Sequence, residues 1–387
     1  MTSGVAYRCP GLGSRAITPN LFRIHEANLY KAPRSKCSRG KPRSIGQLRR
    51  LPLEILHAVF LNLDYTTLNN LRLVNRTARR IIESLPAYAL LRNHALETLR
   101  AMDELKCSSY FAIGDLFAEF CHPWCRTCGE GEFGALLYLP TLSRSCFKCN
   151  LVRGEYQPGL VSDICFAYAL SKRDISNKSR PLPIIHRMSY NPPIRPIRIA
   201  DVEMALELAR SIHGSNFEAV QRARKSREKS AYKAYERAMD EWKSIKYDTV
   251  PTPRRPRRPR QRVPLRTCDK PDRRSGDLVR SWRSCATIAF PCFDRKTRTV
   301  EPGVYCRACT YHWEEMATDW WVGPLVFDPH PPNREARFRA FRERDIPAHF
   351  VVCENVRREY DLSERTLEDW NRDGDGEDFF VFPEDWE

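Results

Sequence analysis

Apolar residues between positions 51 and 105 recur every three or four residues, a spacing that predicts helices. Within LPLEILHAVFLNL (51–63), one stripe of the first predicted helix contains Ile55, Leu56, Val59, Phe60 and Leu63. A second helix is predicted over 68–85, where Pro86 stops or bends it, and a third over 88–105. Two short helices cannot bury such a stripe by themselves. Either the remaining chain or another protein must cover it.

The pattern after residue 105 is mixed. The apolar run FGALLYLP (133–140) and the run CATIAF (285–290) predict short strands, whereas residues 216–246 predict a long charged helix. The proline-rich stretch 181–198 is predicted to be an extended connector. The expected fold class is therefore mainly α with small β elements (α+β).

Composition and charge divide the 387 residues into folded segments and linkers, because 28 prolines and 29% charged residues do not suit one compact globule. The net charge of +16 is unevenly distributed: residues 1–50 hold eleven Lys/Arg, and residues 361–387 hold eleven Asp/Glu. We predict a disordered basic tail (1–45), a helical domain (46–92), a helix with a cysteine-rich segment (93–160), a helical region (161–248), a disordered Arg/Pro linker (249–278), a C-terminal Cys/His segment (279–360) and an acidic tail (361–387).

The sequence also bears on where the protein acts. No stretch approaches the roughly 18 to 20 apolar residues that cross a bilayer, and the first residues have no hydrophobic signal sequence. We therefore expect no membrane partner and a location in the cytoplasm and/or nucleus.

The fifteen cysteines include a pattern typical of a four-thiolate zinc site. Cys125 and Cys128 are followed, after seventeen residues, by Cys146 and Cys149. Each Cys-x2-Cys pair can form a tight turn that donates two sulfurs. Cys121 and His122 lie nearby as alternative ligands, and buried free cysteines are the non-metal interpretation. A four-sulfur site leaves no position for water, so its expected role is structural.

A second pair, Cys306 and Cys309, has no later Cys-x2-Cys partner. We assign its other half to His349 and Cys353, whose spacing suits two ligands on one helical turn. Cys292 and His312 are rival ligands, and an ordinary hairpin core without metal is an equal alternative.

The residue order of the first two predicted helices adds information beyond periodicity. It reads Leu51-Pro52-x-Glu54-Ile55-Leu56, Val59-Phe60-x-x-Leu63-Asp64, then Leu68-x-x-Leu71-Arg72-x-Val74-Asn75-Arg76. This order resembles an F-box, and the resemblance covers residues 48 to about 91. It implies a three-helix unit that docks on a Skp-type adaptor and thereby joins a cullin-RING ubiquitin ligase. The side chains at the implied interface are Leu51, Pro52, Ile55, Leu56, Val59, Leu71 and Val74.

The resemblance implies a non-catalytic subunit that presents an unknown protein substrate for ubiquitination. The wider order of an F-box, paired cysteines and a distal His-Phe-x2-Cys resembles a group of filamentous-fungal F-box proteins.

Two other functions remain open at this stage. In the first, the helices are ordinary core, and the basic segments of a zinc-stabilised protein bind nucleic acid. That interpretation is disfavoured, because no aromatic platform or recognition helix lies beside PRRPRRPRQR (253–262). An alternative role for these arginines is an electrostatic contact with the acidic tail. The second, a metalloenzyme, ranks last because the sequence links no nucleophile to a base.

Overall fold

The computed structural model describes residues 6–7, 46–177, 181–188, 196–245, 254–259, 286–306, 308–309 and 339–356. Its helices are α1 (Leu53–Leu61), α2 (Tyr65–Val74), α3 (Arg76–Glu83), α4 (Pro86–His94), α5 (Leu96–Glu104), α6 (Ile113–Phe120), α7 (Phe147–Val152), α8 (Val161–Ala167), α9 (Lys172–Ile175), α10 (Val202–His213), α11 (Phe217–Ile245) and α12 (Ile346–Val352). Short 3₁₀ turns occupy 46–50, 108–110 and 154–156. The fold is mixed α+β, as predicted.

In the described ranges, the strands are short and form five small sheets. They are β1 (Ala6–Tyr7), β2 (Trp124–Cys125), β3 (Gly129–Phe133), β4 (Leu136–Tyr138), β5 (Ser143–Ser145), β6 (Pro158–Leu160), β7 (Ile185–Met188), β8 (Pro196–Asp201), β9 (Thr287–Ala289), β10 (Cys292–Asp294), β11 (Thr299–Glu301), β12 (Val304–Cys306) and β13 (Ala340–Phe341). The sheet orders are β1-β12-β13, β10-β11, β2-β3, β5-β4-β9 and β6-β8-β7. All their pairings are antiparallel.

The N-terminal helices are shorter than predicted, because local caps interrupt them. Asp64 accepts hydrogen bonds from the backbone N–H and hydroxyl of Thr67, and so begins α2 at Tyr65, before the predicted start at residue 68. Asn75 is extended and its side chain caps α3, so the predicted helix 68–85 is two helices. Ala95 likewise divides the predicted helix 88–105 into α4 and α5.

Two predictions of irregular structure are wrong where the structure describes them. The expected connector at 181–198 supplies β7 and β8, which pair with each other while β8 also pairs with β6. Residues 6 and 7, in the expected disordered tail, form a strand on β12. Residues 254–259 of the expected linker have no regular secondary structure. The other residues of the predicted basic tail and linker, and the whole acidic tail, lie outside the described residues.

One hydrophobic core crosses several of the predicted segments. It joins residues of α1 to α6 with β4, the first cysteine cluster, β7, β8 and β9. The segments 93–160 and 279–360 also share a sheet, because β4 pairs with β9 on one side and β5 on the other. The helical domain and the cysteine-rich segment are therefore parts of one packed body.

Arg144, on β5, is fully buried and ties this body together. Its guanidinium donates to the backbone carbonyls of Glu119, Gly134, Phe290 and Pro291, at 2.9, 2.5 and 2.8 Å for the first three. It also lies 4.6 Å from the centre of the Phe290 ring. Burial lowers the pKa of Arg144 to about 10, which still leaves the side chain charged at neutral pH.

Helix α6 fixes the first helix to the remainder of the core. The Ile113 amide donates to the Leu63 carbonyl at 2.8 Å. A Cβ atom at Gly114 would lie 2.9 Å from the Leu61 carbonyl oxygen, so only glycine permits this approach. Within the described part of the chain, no helix is both long and apolar enough to cross a membrane.

Candidate functional site

A row of exposed apolar side chains runs along the start of the helical domain. Seven of the eleven exposed large hydrophobic residues in the described chain lie between positions 48 and 74. We call them the apolar ridge: Leu48, Leu51, Leu53, Ile55, Val59, Leu73 and Val74. Ile55 is 49% exposed, Val59 46% and Val74 69%. Such concentration on a short segment is typical of a surface that another protein covers.

The structure divides the predicted interface residues into two groups. Leu51, Pro52, Ile55, Val59 and Val74 are exposed. Leu56, in contrast, is 3% exposed and packs in the core with Phe60, one turn further along α1.

Leu71 is half-buried against the same core. The predicted single stripe is thus two stripes, an outer one with Ile55 and Val59 and an inner one with Leu56 and Phe60. The physical reason is that α1 lies between its own core and solvent, so neighbouring apolar positions face opposite sides.

Three ridge residues were not predicted as interface positions. Leu48 precedes the predicted set, Leu53 lies between Pro52 and Ile55, and Leu73 precedes Val74. Their apolar character beside predicted positions was the available signal. Only their exposure in the folded structure distinguishes them from apolar residues that face the core.

The first cysteine cluster brings together all four predicted sulfurs. The Sγ atoms of Cys125, Cys128, Cys146 and Cys149 lie within 4.8 Å of one another. Cys128 is 3.2 Å from Cys149 and 3.9 Å from Cys146, Sγ to Sγ. Cys128 is exposed, whereas the other three are buried.

Local structure places each pair. Cys125 ends β2, and Cys128 lies in the turn that Gly129 closes with a φ of +76°, a left-handed value that favours glycine. The second pair occupies the start of α7, where the Cys146 sulfur caps the Cys149 amide at 3.5 Å. Asn150, the residue after the second pair, is helical, and its side chain bonds Ser145 and Thr287.

Hydrogen bonds between the thiols of this cluster help to shift their pKa values in opposite directions. A hydrogen bond from Cys146, with backbone amides of Thr127 and Cys128, lowers the pKa of Cys125 to about 4. Burial and a hydrogen bond with Cys128 raise the pKa of Cys149 to about 12. The pKa of Cys146 is also raised, chiefly by its bond to Cys125. A divalent cation among these sulfurs would favour the thiolate form of all four.

Groups around the first cluster hold its turn in place. The Arg126 amide donates to the Arg144 carbonyl at 2.9 Å, linking the first turn to β5. The Thr127 hydroxyl bonds the Tyr156 hydroxyl and the Glu155 carboxylate, both at 2.8 Å. Tyr156 packs edge-on against Tyr138 of β4.

The second cluster contains the four residues that the sequence assigned to it: Cys306, Cys309, His349 and Cys353. The Cys309 sulfur lies 3.4 Å from that of Cys353 and 3.7 Å from the His349 Nε2. His349 is on α12, and Cys353 follows the helix directly. Hydrogen bonds from Cys306 and Cys309 lower the pKa of Cys353.

Neighbouring side chains also orient this second cluster. The His349 ring stacks on Phe341 with centres 4.4 Å apart. The Asn355 amide donates to the Cys309 sulfur at 3.5 Å, a contact that the sequence did not predict. The cluster has its own small core, which includes Val304, Ile346 and Val356.

The rival ligands fall outside both clusters where the structure describes them. Cys121 and His122 are not part of the first group, and Cys292 is not part of the second. Cys292 is buried on β10 beside Phe133 and Tyr305 instead. His312 lies outside the described residues.

Both clusters have donor atoms and spacings compatible with a structural metal ion. A tetrahedral ion with metal–sulfur bonds of about 2.3 Å separates its sulfurs by about 3.8 Å. The sulfur–sulfur distances of 3.2 and 3.9 Å in the first cluster and 3.4 Å in the second bracket or approach this value. The described cysteines form no disulfides.

Short helices with an exposed apolar edge, fixed on a larger core, define a docking module. Comparison with protein-family models identifies it: residues 48–90 match the F-box domain. The chain thus contains an F-box domain, and proteins with this domain are generally non-catalytic subunits of ubiquitin ligase complexes. F-box domains typically bind Skp-type adaptors in cullin-RING ligases. Searches of curated proteins and of solved structures found no match.

Proposed function

We propose that this protein recruits a protein substrate to a Skp-cullin-F-box ubiquitin ligase. The apolar ridge docks on the adaptor, and the remainder of the chain selects the substrate and presents it for ubiquitination without catalysing a reaction. The exposure of the ridge supports this proposal most directly, because folded proteins rarely leave so many large apolar side chains in water without a partner. The proposed complex acts in the cytoplasm and/or nucleus. We also propose that the chain belongs with the filamentous-fungal F-box proteins that its order of F-box, paired cysteines and distal His-Phe-x2-Cys resembles.

The metal in both clusters is zinc, in a structural role. Four thiolates, or three thiolates and an imidazole, are donor sets that zinc prefers and that leave no position for a reacting water. The first cluster holds the turn after β2 against the start of α7. The second holds β12 against α12.

Adaptor binding tests the ridge. In the full-length protein, Ile55→Ser with Val59→Ser should weaken binding of a purified Skp-type adaptor about 30- to 1000-fold, since each lost apolar contact contributes about 1–2 kcal/mol. Leu51→Ala with Pro52→Ala should act in the same direction. Isothermal titration calorimetry measures both.

Ile212→Ser is the matched control, because Ile212 is 44% exposed and lies on α10, outside the ridge. Its adaptor affinity should equal that of the wild type. Leu56→Ala should instead lower stability by about 2–5 kcal/mol, as expected for a core residue. Unchanged adaptor affinity in both ridge variants would refute the interface.

Substrate presentation requires its own experiment. Purification of the wild type from its native cells should recover adaptor and cullin together with client proteins. The ridge variant should lose adaptor and cullin while it retains the clients. Clients that accumulate in cells carrying the ridge variant would support presentation for degradation, and unchanged client levels would contradict it.

Metal content tests the second part of the proposal. Elemental analysis should find two zinc ions per chain, one for each cluster. Cys128→Ser and His349→Ala should each remove one ion, whereas Cys165→Ser, at a half-buried cysteine on α8, should retain both. Iron, or no metal in protein purified without chelators, would contradict the assignment.

A further inference from the structure

A short basic segment, residues 254–259, follows the long helix α11. Its sequence is Arg-Arg-Pro-Arg-Arg-Pro, and it has no regular hydrogen-bonded structure. Arg254, Arg255, Arg257 and Arg258 are exposed, and we call them the arginine stripe. Pro256 and Pro259 are half-buried.

The exposure pattern repeats every three residues, which is the period of a polyproline II helix. Proline-rich segments of this kind favour that conformation, in which residues three apart share one face. At its rise of about 3.1 Å per residue, residues 254 to 258 span about 12 Å, so the four positive charges lie close together.

The stripe has no acidic partner among the described residues. None of its four arginines forms an ion pair there. Four like charges at this spacing repel one another and attract a polyanion. The stripe is therefore a charged surface without an acidic partner in the part of the chain that the structure describes.

The same chain contains a segment of opposite charge. Residues 361–387 hold eleven carboxylates and only Arg365 and Arg372 as positive side chains. The 31 residues from 357 to 387 can span at most about 100 Å when fully extended, which is enough to reach any face of a protein of this size. A tethered partner is present at an effective concentration of about millimolar, so it competes well with free polyanions.

Nucleic acid fits the stripe less well. Binding of single strands relies on aromatic side chains on which the bases stack. The nearest described aromatic residues along the chain, Tyr232, Tyr235 and Trp242 of α11, are half-buried and do not form an open platform.

We propose that the arginine stripe docks the acidic C-terminal segment, residues 361–387, of the same chain. The contact is electrostatic and intramolecular. It shields the stripe from other polyanions, and it does not rest on the ubiquitin-ligase function.

Zero-length carbodiimide cross-linking tests the contact in the full-length protein. Arg257→Lys with Arg258→Lys keeps the charge and supplies amines that couple to carboxylates. Mass spectrometry should find these two positions joined to residues 361–387 several-fold more often than the exposed Lys225, Lys229 and Lys233 of α11. The cross-links should disappear in 1 M salt, where the screening length is about 3 Å. Mixing isotope-labelled and unlabelled chains should show that they form within one chain.

Proteolysis provides a second measurement. Replacing all four arginines of the stripe by Gln should speed cleavage of residues 361–387 by a Glu-specific protease about ten-fold, through the loss of about four exposed ion pairs. Replacing all four by Lys should leave the rate unchanged. Equal cross-linking to the α11 lysines, cross-links between chains, or equal cleavage of the Gln and Lys variants would each overturn the proposal. So would binding of a single-stranded RNA or duplex DNA that depends on the stripe and is unaffected by deletion of residues 361–387.

Discussion

Asp201 is a carboxylate held almost entirely out of water, with 1% of its surface exposed. Its oxygens accept hydrogen bonds from the Tyr138 hydroxyl and the Met204 amide, both at 2.8 Å. It therefore joins β4, beside the first cysteine cluster, to the start of α10. Burial raises the pKa of Asp201 from its ordinary 3.8 to about 6.

This raised pKa predicts a specific pH dependence of stability. The folded protein binds the Asp201 proton more tightly than the unfolded chain, so stability decreases as pH rises from about 4 to about 6. Asp201→Asn keeps an oxygen for the Met204 amide but cannot ionise. The free energy of unfolding of this variant, relative to that of the wild type, should rise by about 1.4 kcal/mol between pH 5 and pH 8. The complete pKa shift of Asp201 corresponds to about 3 kcal/mol. Urea unfolding at several pH values measures the difference, and a pH-independent difference would disprove the role of this carboxylate.

At the scale of elements, the sequence predicted the helices and the cysteine clusters, which depend on residues close together in the chain or on known ligand spacings. Periodicity located α1 and α11, and cysteine spacing grouped the ligands of both clusters, because each signal lies within a few turns or follows a known ligand spacing. The second cluster was harder, since its halves are 40 residues apart, yet the His349–Cys353 spacing was sufficient.

The sequence did not predict the sheets, because strand pairing depends on distant partners. Leu137 lies opposite Ile288, and no local pattern connects them. The prolines at 181–198 suggested a connector, but Pro196 begins β8, where a missing N–H is tolerated. The exposed and buried sides of α1 could not be separated for the same reason: the core that covers Leu56 includes residues from much later in the chain.

The contact between α6 and α1 predicts an unusual response to substitution. Alanine normally stabilises a helix relative to glycine by about 1 kcal/mol. At Gly114 the added Cβ would meet the Leu61 carbonyl, a backbone atom that cannot rotate away. Gly114→Ala should therefore lower the free energy of unfolding by about 1–3 kcal/mol. Gly154→Ala has open space around its Cβ and should change stability by less than about 0.5 kcal/mol, as chemical denaturation would show. A stabilised Gly114 variant would contradict this packing.

At the scale of the whole molecule, the F-box domain and the first cysteine cluster share one core, whereas the second cluster has a separate one. Cys125, Cys146 and Cys149 belong to the same set of buried residues as Leu56 and Phe60. Cys306, Cys309 and Cys353 belong to another set. Substitutions in the two clusters should therefore destabilise different parts of the molecule.

The rates of amide hydrogen exchange can show which helices and strands each substitution destabilises. Cys149→Ser should accelerate amide exchange throughout α1 to α3, because loss of a ligand of the proposed first zinc site would loosen a core that those helices share. Cys309→Ser should accelerate exchange in β12 and α12 and leave α1 to α3 unchanged. Equal effects of both variants on the F-box helices would contradict the division into two cores.

Arg144 sets a condition on how the protein is made. Two of the four carbonyls that it binds, those of Phe290 and Pro291, are translated almost 150 residues after it. At about 5 to 20 residues per second, the ribosome needs about 7 to 30 seconds to cover that distance. During this interval the guanidinium must remain hydrated, and the edge of β4 that later receives β9 lacks its partner strand. The N-terminal half of the nascent chain therefore stays without part of its core until β9 and the residues after it have been synthesised.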